Sequence, residues 1–131
     1  MVDKKIILAI DDDPLVLGIF TSLLANDYDL RISKSAAEAS ILMDKIKPAL
    51  ILLDIEMPNI SGFEFLHDIK KNPRFMNIPV IVVSGYSDDA FIAHAKKGGA
   101  SAVVSKPVNG EKLTKTINEA FSKPQTNIFG L

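Results

Sequence analysis

Seven residues of this 131-residue sequence stand at or just beyond the ends of apolar runs and carry groups that can do chemistry together. Asp11, Asp12 and Asp13 follow one run, and Asp54 closes a second, Leu50 to Leu53, with Glu56 just beyond it. Ser84 closes a third run, and Lys106, followed by Pro107, comes after a fourth. Carboxylates gathered from two strand ends repel one another unless a cation intervenes. A hard divalent ion such as Mg²⁺ takes oxygen ligands and keeps several waters, which suits such a cluster. Asp11 to Asp13 also admit a plainer reading, as the cap of a following helix, where negative charge is favourable. Three aspartates in a row behind a buried strand, with a fourth at another strand's end, exceed what capping needs. A carboxylate can attack a phosphoryl group to give an aspartyl phosphate, which makes Asp54 a candidate nucleophile. A metal would neutralise charge on the transferred group. Lys106 would add a point cation and Ser84 a hydroxyl hydrogen bond. Alone, a strand-end serine is an ordinary turn residue and a lysine before proline an ordinary solvated one. Their arrival at the same edge as the acidic cluster is what gives them weight.

The elements that deliver these groups are legible from periodicity. Runs rich in Ile, Val and Leu at 5–10, 50–54, 79–84 and 102–105 read as buried strands, and 29–33 as a weaker, edge strand. Amphipathic stretches of helical period lie between them. The first starts at Pro14 and places Leu15, Val16, Ile19, Phe20, Leu23 and Leu24 on one face. The second carries Ala39, Leu42, Met43 and Ile46 and stops before Pro48. The third follows Ser61-Gly62 with Phe65, Leu66 and Ile69. The fourth follows Ser87-Asp88-Asp89, shows Phe91, Ile92 and Ala95, and ends at Gly98-Gly99. The fifth follows Asn109 with Leu113, Ile117, Ala120 and Phe121. Five strand–helix units predict a parallel sheet covered on both faces. Ligands of such sheets bind beyond the carboxyl ends of the strands, where all seven residues fall.

Composition narrows the function. The length suits one domain, expected at 1–123, with 124–131 as a tail or the start of a linker. A net charge of -1, from 15 basic and 16 acidic residues, disfavours a nucleic-acid backbone or a polybasic membrane anchor. There are no cysteines, which excludes thiol chemistry and Cys-bound zinc. No run has the length of a signal peptide's apolar core or a membrane span, so the chain is expected to be soluble and cytoplasmic.

Together these residues resemble the receiver domain of two-component response regulators, of the chemotaxis-regulator kind. The likeness runs from Lys5 to about Phe121 through Asp11-Asp12, Asp54 with Met57-Pro58 and Gly62, Ser84, and Lys106-Pro107. It implies a flavodoxin-like (βα)5 three-layer α/β sandwich with strand order 2-1-3-4-5. It implies Asp54 as phosphoacceptor. The metal, Mg²⁺ or Mn²⁺, would be held by Asp12, Asp54 and the backbone carbonyl of Glu56, with Asp11 acting through water. Ser84 would be the switch hydroxyl, Lys106 its ionic partner, and Pro107 a cis proline. The donor would be a phosphohistidine on a sensor kinase or phosphotransfer protein. The only reactions would be self-catalysed transfer and autodephosphorylation. His67 and His94 are expected to be ordinary surface residues. No output domain follows within these residues. The resemblance therefore implies either a stand-alone regulator acting on a downstream protein through its fourth-helix, fifth-strand and fifth-helix face, or a piece of a longer chain. A phosphorylation-dependent dimer is a further implication.

Three departures from the family pattern matter. Val103 stands three residues before Lys106, where the family places Tyr or Phe as a rotamer switch, and a valine is stiff at χ1. Val108 replaces a common Phe. Glu56 and Tyr86, two residues beyond Asp54 and Ser84, occupy positions that tune water access to the phosphoryl group. Val103 keeps open a second reading, a receiver-like module acting by contact without phosphorylation. A haloacid-dehalogenase-type phosphatase would need an aspartate where Glu56 stands. A flavodoxin-like cofactor site would need a Ser/Thr/Gly-rich loop in place of Asp11 to Asp13.

Overall fold

The computed structural model describes residues 3–57 and 61–123. Pro58 and the tail expected at 124–131 lie outside the described residues. Five strands alternate with five helices: β1 (Ile6–Ile10), α1 (Pro14–Leu24), β2 (Asp29–Ser33), α2 (Ala36–Lys45), β3 (Leu50–Asp54), α3 (Gly62–Lys71), β4 (Val80–Ser84), α4 (Asp89–Lys97), β5 (Ala102–Ser105) and α5 (Gly110–Ser122). All strand pairs are parallel and the sheet order is β2-β1-β3-β4-β5. The expected flavodoxin-like three-layer sandwich and its strand order are thus both present.

The period of two along the strands sorts the core into two halves. Ile7, Ala9, Leu50, Leu52, Ile81, Val83 and Val104 pack under α1 and α5, through Val16, Leu17, Phe20, Leu24, Leu113, Ile117 and Ala120. Leu8, Ile10, Ile51, Leu53, Val80 and Val82 pack under α2, α3 and α4, through Ala39, Met43, Phe65, Leu66, Ile69 and Ala95. Both faces of the three central strands are therefore dry, which is why these strands read as unbroken apolar runs.

Each helix starts on a side-chain cap: Asp13, Ser35, Ser61, Asp88 and Asn109 each accept a hydrogen bond from a backbone N–H of the first turn. Each such cap is worth about 1 kcal/mol against alanine. Asp13 thus fulfils the plainer capping reading of the triple aspartate. Where α4 ends, Gly99 has φ +108, and a Cβ there would meet the Lys70 stem at 2.7 Å. Lys70 Nζ donates to the carbonyls of Met76 and Ile78 and so ties down the turn that leads into β4.

One helix face differs from expectation. Leu15 is 72% exposed and Leu23 37%, while Leu17, absent from the predicted face, is buried. Leu17, Phe20 and Leu24 form one i, i+3, i+7 row that meets the sheet. Leu15, Ile19 and Leu23 form the neighbouring row, and that row lies at the rim. β2 is an edge strand, as expected, and its outward Ile32 is half exposed.

Gly62 fixes the loop behind Asp54. Its N–H donates to the Ile55 carbonyl at 3.2 Å. A Cβ at Gly62 would meet Ile55 Cα at 2.5 Å and the Asp54 carbonyl oxygen at 2.9 Å. Gly18, mid-way along α1, would find nothing within 4 Å of an added Cβ. The same chemical change is therefore expected to have opposite signs at the two sites. Gly62→Ala should destabilise by about 1–3 kcal/mol through forced backbone displacement, and Gly18→Ala should stabilise by about 0.5–1 kcal/mol. Urea denaturation of the two variants against the native chain measures both.

Candidate functional site

The site lies at the carboxyl edge of the sheet, and strand pairing assembles it. Asp11 N–H donates to the Ser33 carbonyl, extending the β1–β2 ladder by one residue, and Lys106 N–H donates to the Ser84 carbonyl in the same way beyond β5. β3 and β4 pair Asp54 with Val83, and β4 and β5 pair Ser84 with Ser105. Asp11, Asp54, Ser84 and Lys106 are thereby set side by side along one edge. Asp11, Asp54 and Lys106 carry the strand parity of the α1/α5 face; Ser84 carries that of the α3/α4 face.

Asp11 is fully buried and Asp54 only 2% exposed, whereas Asp12 faces solvent. Lys106 Nζ stands 3.2 Å from Asp11 Oδ2 and 3.4 Å from Asp54 Oδ1. Asp11 Oδ1 accepts from the Asp13 N–H at 2.9 Å, and Asp54 Oδ1 accepts from the Glu56 N–H at 3.0 Å. Burial pushes the Asp54 carboxyl above the ordinary carboxylate range. The Glu56 N–H draws it down, the Asp11 charge adds to the rise, and Lys106 offsets part of it. Burial by itself would lower the Lys106 ammonium, but facing Asp11 and Asp54 holds it above its usual value.

The residues fit a divalent cation. Carboxylate oxygens of Asp11, Asp12 and Asp54 lie within 4.8 Å of one another. Asp11 Oδ2 is buried and accepts no hydrogen bond, since Lys106 meets it at ion-pair distance without hydrogen-bond alignment. A buried oxygen left in that condition is costly and invites a further partner. Three ionised carboxylates against one ammonium leave two negative charges, the complement of one divalent ion.

The predicted Asp11, Asp12, Asp54 and Lys106 are therefore brought together. Pro107 follows a cis peptide bond. Ser84 is fully buried and lies beside them, but its hydroxyl is committed elsewhere: Ser84 Oγ donates to Glu56 Oε1 at 3.0 Å and accepts from the Tyr86 N–H at 3.0 Å. Glu56 Oε1 also accepts from the Gly85 N–H at 3.1 Å. This role of the Glu56 side chain went unread in the sequence, where Glu56 was given a backbone role and a general influence on water. The signal that finds it is register. Extending the Asp54–Val83 pairing by two residues brings Glu56 opposite Gly85. His67 and His94 are on exposed helix surfaces, His94 edge-on to Phe63 at 4.5 Å.

Comparison with known proteins decides the family. The response regulator receiver domain matches residues 7–118. The chain belongs to the receiver-domain family. The polar-differentiation response regulator DivK of Brucella ovis is 31% identical over 114 residues, 86% of this chain and 93% of DivK. A CheY-like receiver domain protein of Methanospirillum hungatei is 30% identical, with a TM-score of 0.80, covering 89% of this chain and 93% of that one. A response regulator structure from Chloroflexus aurantiacus, at 20% identity and a TM-score of 0.87, covers 92% of this chain and all of that one, and supports the fold. Receiver domains typically bind Mg²⁺ and interact with histidine kinases and downstream targets. Among the described residues of this one, no helix is long and apolar enough to cross a membrane.

The raised Asp54 carboxyl has a consequence for stability. A carboxyl whose pKa rises on folding holds its proton more tightly in the native chain than in the unfolded one. Native stability then falls as pH climbs from the unfolded value, near 4, through the folded one. Asp54→Asn removes that penalty and keeps an acceptor for the Glu56 N–H. In metal-free buffer at neutral pH the variant is expected to melt higher than the native chain. The gap should close as pH is lowered through the carboxylate range. Thermal melts across pH, with EDTA present, measure it.

Proposed function

We propose that this receiver domain is a phosphoacceptor that takes a phosphoryl group from a partner's phosphohistidine onto Asp54 and changes its output surface as a result. The observation that carries the reading is the buried Asp54 carboxylate held 3.4 Å from Lys106 Nζ inside a three-carboxylate cluster. An Asp54 oxygen attacks phosphorus, the P–N bond of the donor breaks, and the imidazole leaves with the bonding electron pair. Water later attacks the same phosphorus, and the P–O bond to Asp54 breaks to release inorganic phosphate and restore the carboxylate.

Asp12, Asp54 and the Glu56 backbone carbonyl would hold Mg²⁺ or Mn²⁺, with Asp11 acting through water. Bound there, the ion neutralises charge on the transferred group. Lys106, fixed by Asp11 and Asp54 and with a side chain only 24% exposed, presents a cation beside the acceptor oxygen before any phosphoryl group arrives. The Glu56 N–H orients the carboxylate. No separate substrate is turned over, so the chemistry is a switch rather than an enzyme cycle. A receiver-like module that works without phosphorylation is the second reading, favoured by Val103.

Two measurements test the proposal. Mg²⁺ at about 100 times its Kd is expected to stabilise the native chain by about 2.7 kcal/mol, and Asp12→Asn to lose most of that gain. Incubation with Mg²⁺ and a small-molecule phosphodonor should add the mass of one phosphoryl group to the native chain and nothing to Asp54→Asn. An unchanged native mass would overturn the reading in favour of the contact-only module.

A further inference from the structure

A serine hydroxyl has one proton to donate, and in this structure that of Ser84 is spent on Glu56 Oε1 at 3.0 Å. The same carboxylate oxygen takes the Gly85 N–H at 3.1 Å, and Ser84 Oγ in turn takes the Tyr86 N–H. Glu56 is also tied from its other end, its backbone N–H being bonded to Asp54 Oδ1. One residue thus grips the acceptor carboxylate with its main chain and the start of the β4–α4 turn with its side chain. Ser84 is fully buried, so water does not supply an alternative partner for its hydroxyl.

We propose that Glu56 is the positioning residue that sets the resting state of the switch, by holding the Ser84 hydroxyl and the Gly85 N–H until a phosphoryl group on Asp54 displaces it. The proposal rests on the phosphoacceptor reading above. Two effects act in the same direction. A phosphoryl oxygen and Glu56 Oε1 compete for the single Ser84 proton, and only one can have it. A phosphoryl group also brings roughly -1.5 to -2 charges at neutral pH, next to Glu56, which is exposed and has solvent to move into once its two hydrogen bonds break. Once Glu56 leaves, Gly85 loses its acceptor and the Ser84–Tyr86 turn is released.

The turn is connected to a surface. The Tyr86 ring lies 6.0 Å from Phe91, Phe91 lies 5.6 Å from Phe63, and Phe63 meets His94 edge-on at 4.5 Å. This aromatic row joins the starts of α3 and α4, and Tyr86 is more than half exposed. Movement of residues 84–86 is therefore transmitted to the α3/α4 surface without a rotating ring at position 103.

The experiment uses beryllofluoride with Mg²⁺ as the phosphoryl stand-in and ¹⁵N NMR as the readout, since the chain has no tryptophan. In the free protein, Glu56→Ala should shift the Gly85 and Tyr86 amides in the direction in which beryllofluoride shifts them in the native chain. Glu56→Ala should also bind beryllofluoride about tenfold more tightly, the worth of one hydrogen bond to a charged acceptor. In a Ser84→Ala background most of that gain should vanish, because the contested proton is gone. Charge repulsion alone would give the same gain in both backgrounds, and that result overturns the proposal, as does an absent gain. Unmoved Gly85 and Tyr86 amides in free Glu56→Ala overturn it as well. A native chain that binds no beryllofluoride would instead defeat the phosphoacceptor reading and the displacement with it, while moved or unmoved Gly85 and Tyr86 amides in free Glu56→Ala would still decide whether Glu56 holds the resting turn.

Discussion

The arrangement at the carboxyl edge depends on one constraint: two carboxylates, Asp11 and Asp54, are buried within reach of a single ammonium, Lys106. Isolated ionised groups in such surroundings are very unfavourable, and one cation cannot balance two anions. The fold tolerates this because all three groups sit at strand ends whose backbone hydrogen bonds are already made. The strands fix where the charges stand, and the charges do not have to hold the strands. What remains is a pocket with surplus negative charge and an unsatisfied oxygen on Asp11. Such a site is poised to gain from a cation, whereas a fully neutralised one would not be.

Much of this was legible in the sequence. Apolar runs bounded by Asp and Ser gave the three central strands within a residue or so, because strands buried on both faces have no other way to be written, while the edge strand β2 showed only as a weaker alternation. The caps at Ser61, Asp88 and Asn109 marked helix starts for an equally local reason. What the sequence did not carry was anything requiring two segments to be compared in space. Leu15 looked as apolar as Leu17, and only docking on the sheet separates their rows. Asp11, Asp12 and Asp13 looked alike, yet Asp11 is buried against Lys106, Asp12 faces solvent, and Asp13 caps α1. The Glu56–Ser84 bond spans 28 residues and follows from strand register, which periodicity does not reveal.

Val103 changes meaning once the neighbouring residues are placed. It is partly buried and packs against the α2/α3/α4 half of the core. A β-branched side chain there keeps β5 well packed but has no ring to swing. The absent ring is a deficit only if output must pass through position 103. The aromatic row from Tyr86 to His94 offers partly exposed aromatic surface elsewhere, directly joined to the turn that begins at Ser84.

The parity of the strands gives the sheet one more property. Asp11, Asp54 and Lys106 belong to the side backed by Phe20 and Leu113, and Ser84 to the side backed by Phe65 and Val82. The sheet is a partition with the charged groups rooted in one room and the Ser84 hydroxyl in the other. Repacking of the Phe20 side perturbs the charged groups and leaves the hydroxyl's footing alone; repacking of the Phe65 side does the reverse. The two halves of the site can therefore drift through separate substitutions, provided the strand ends stay in register.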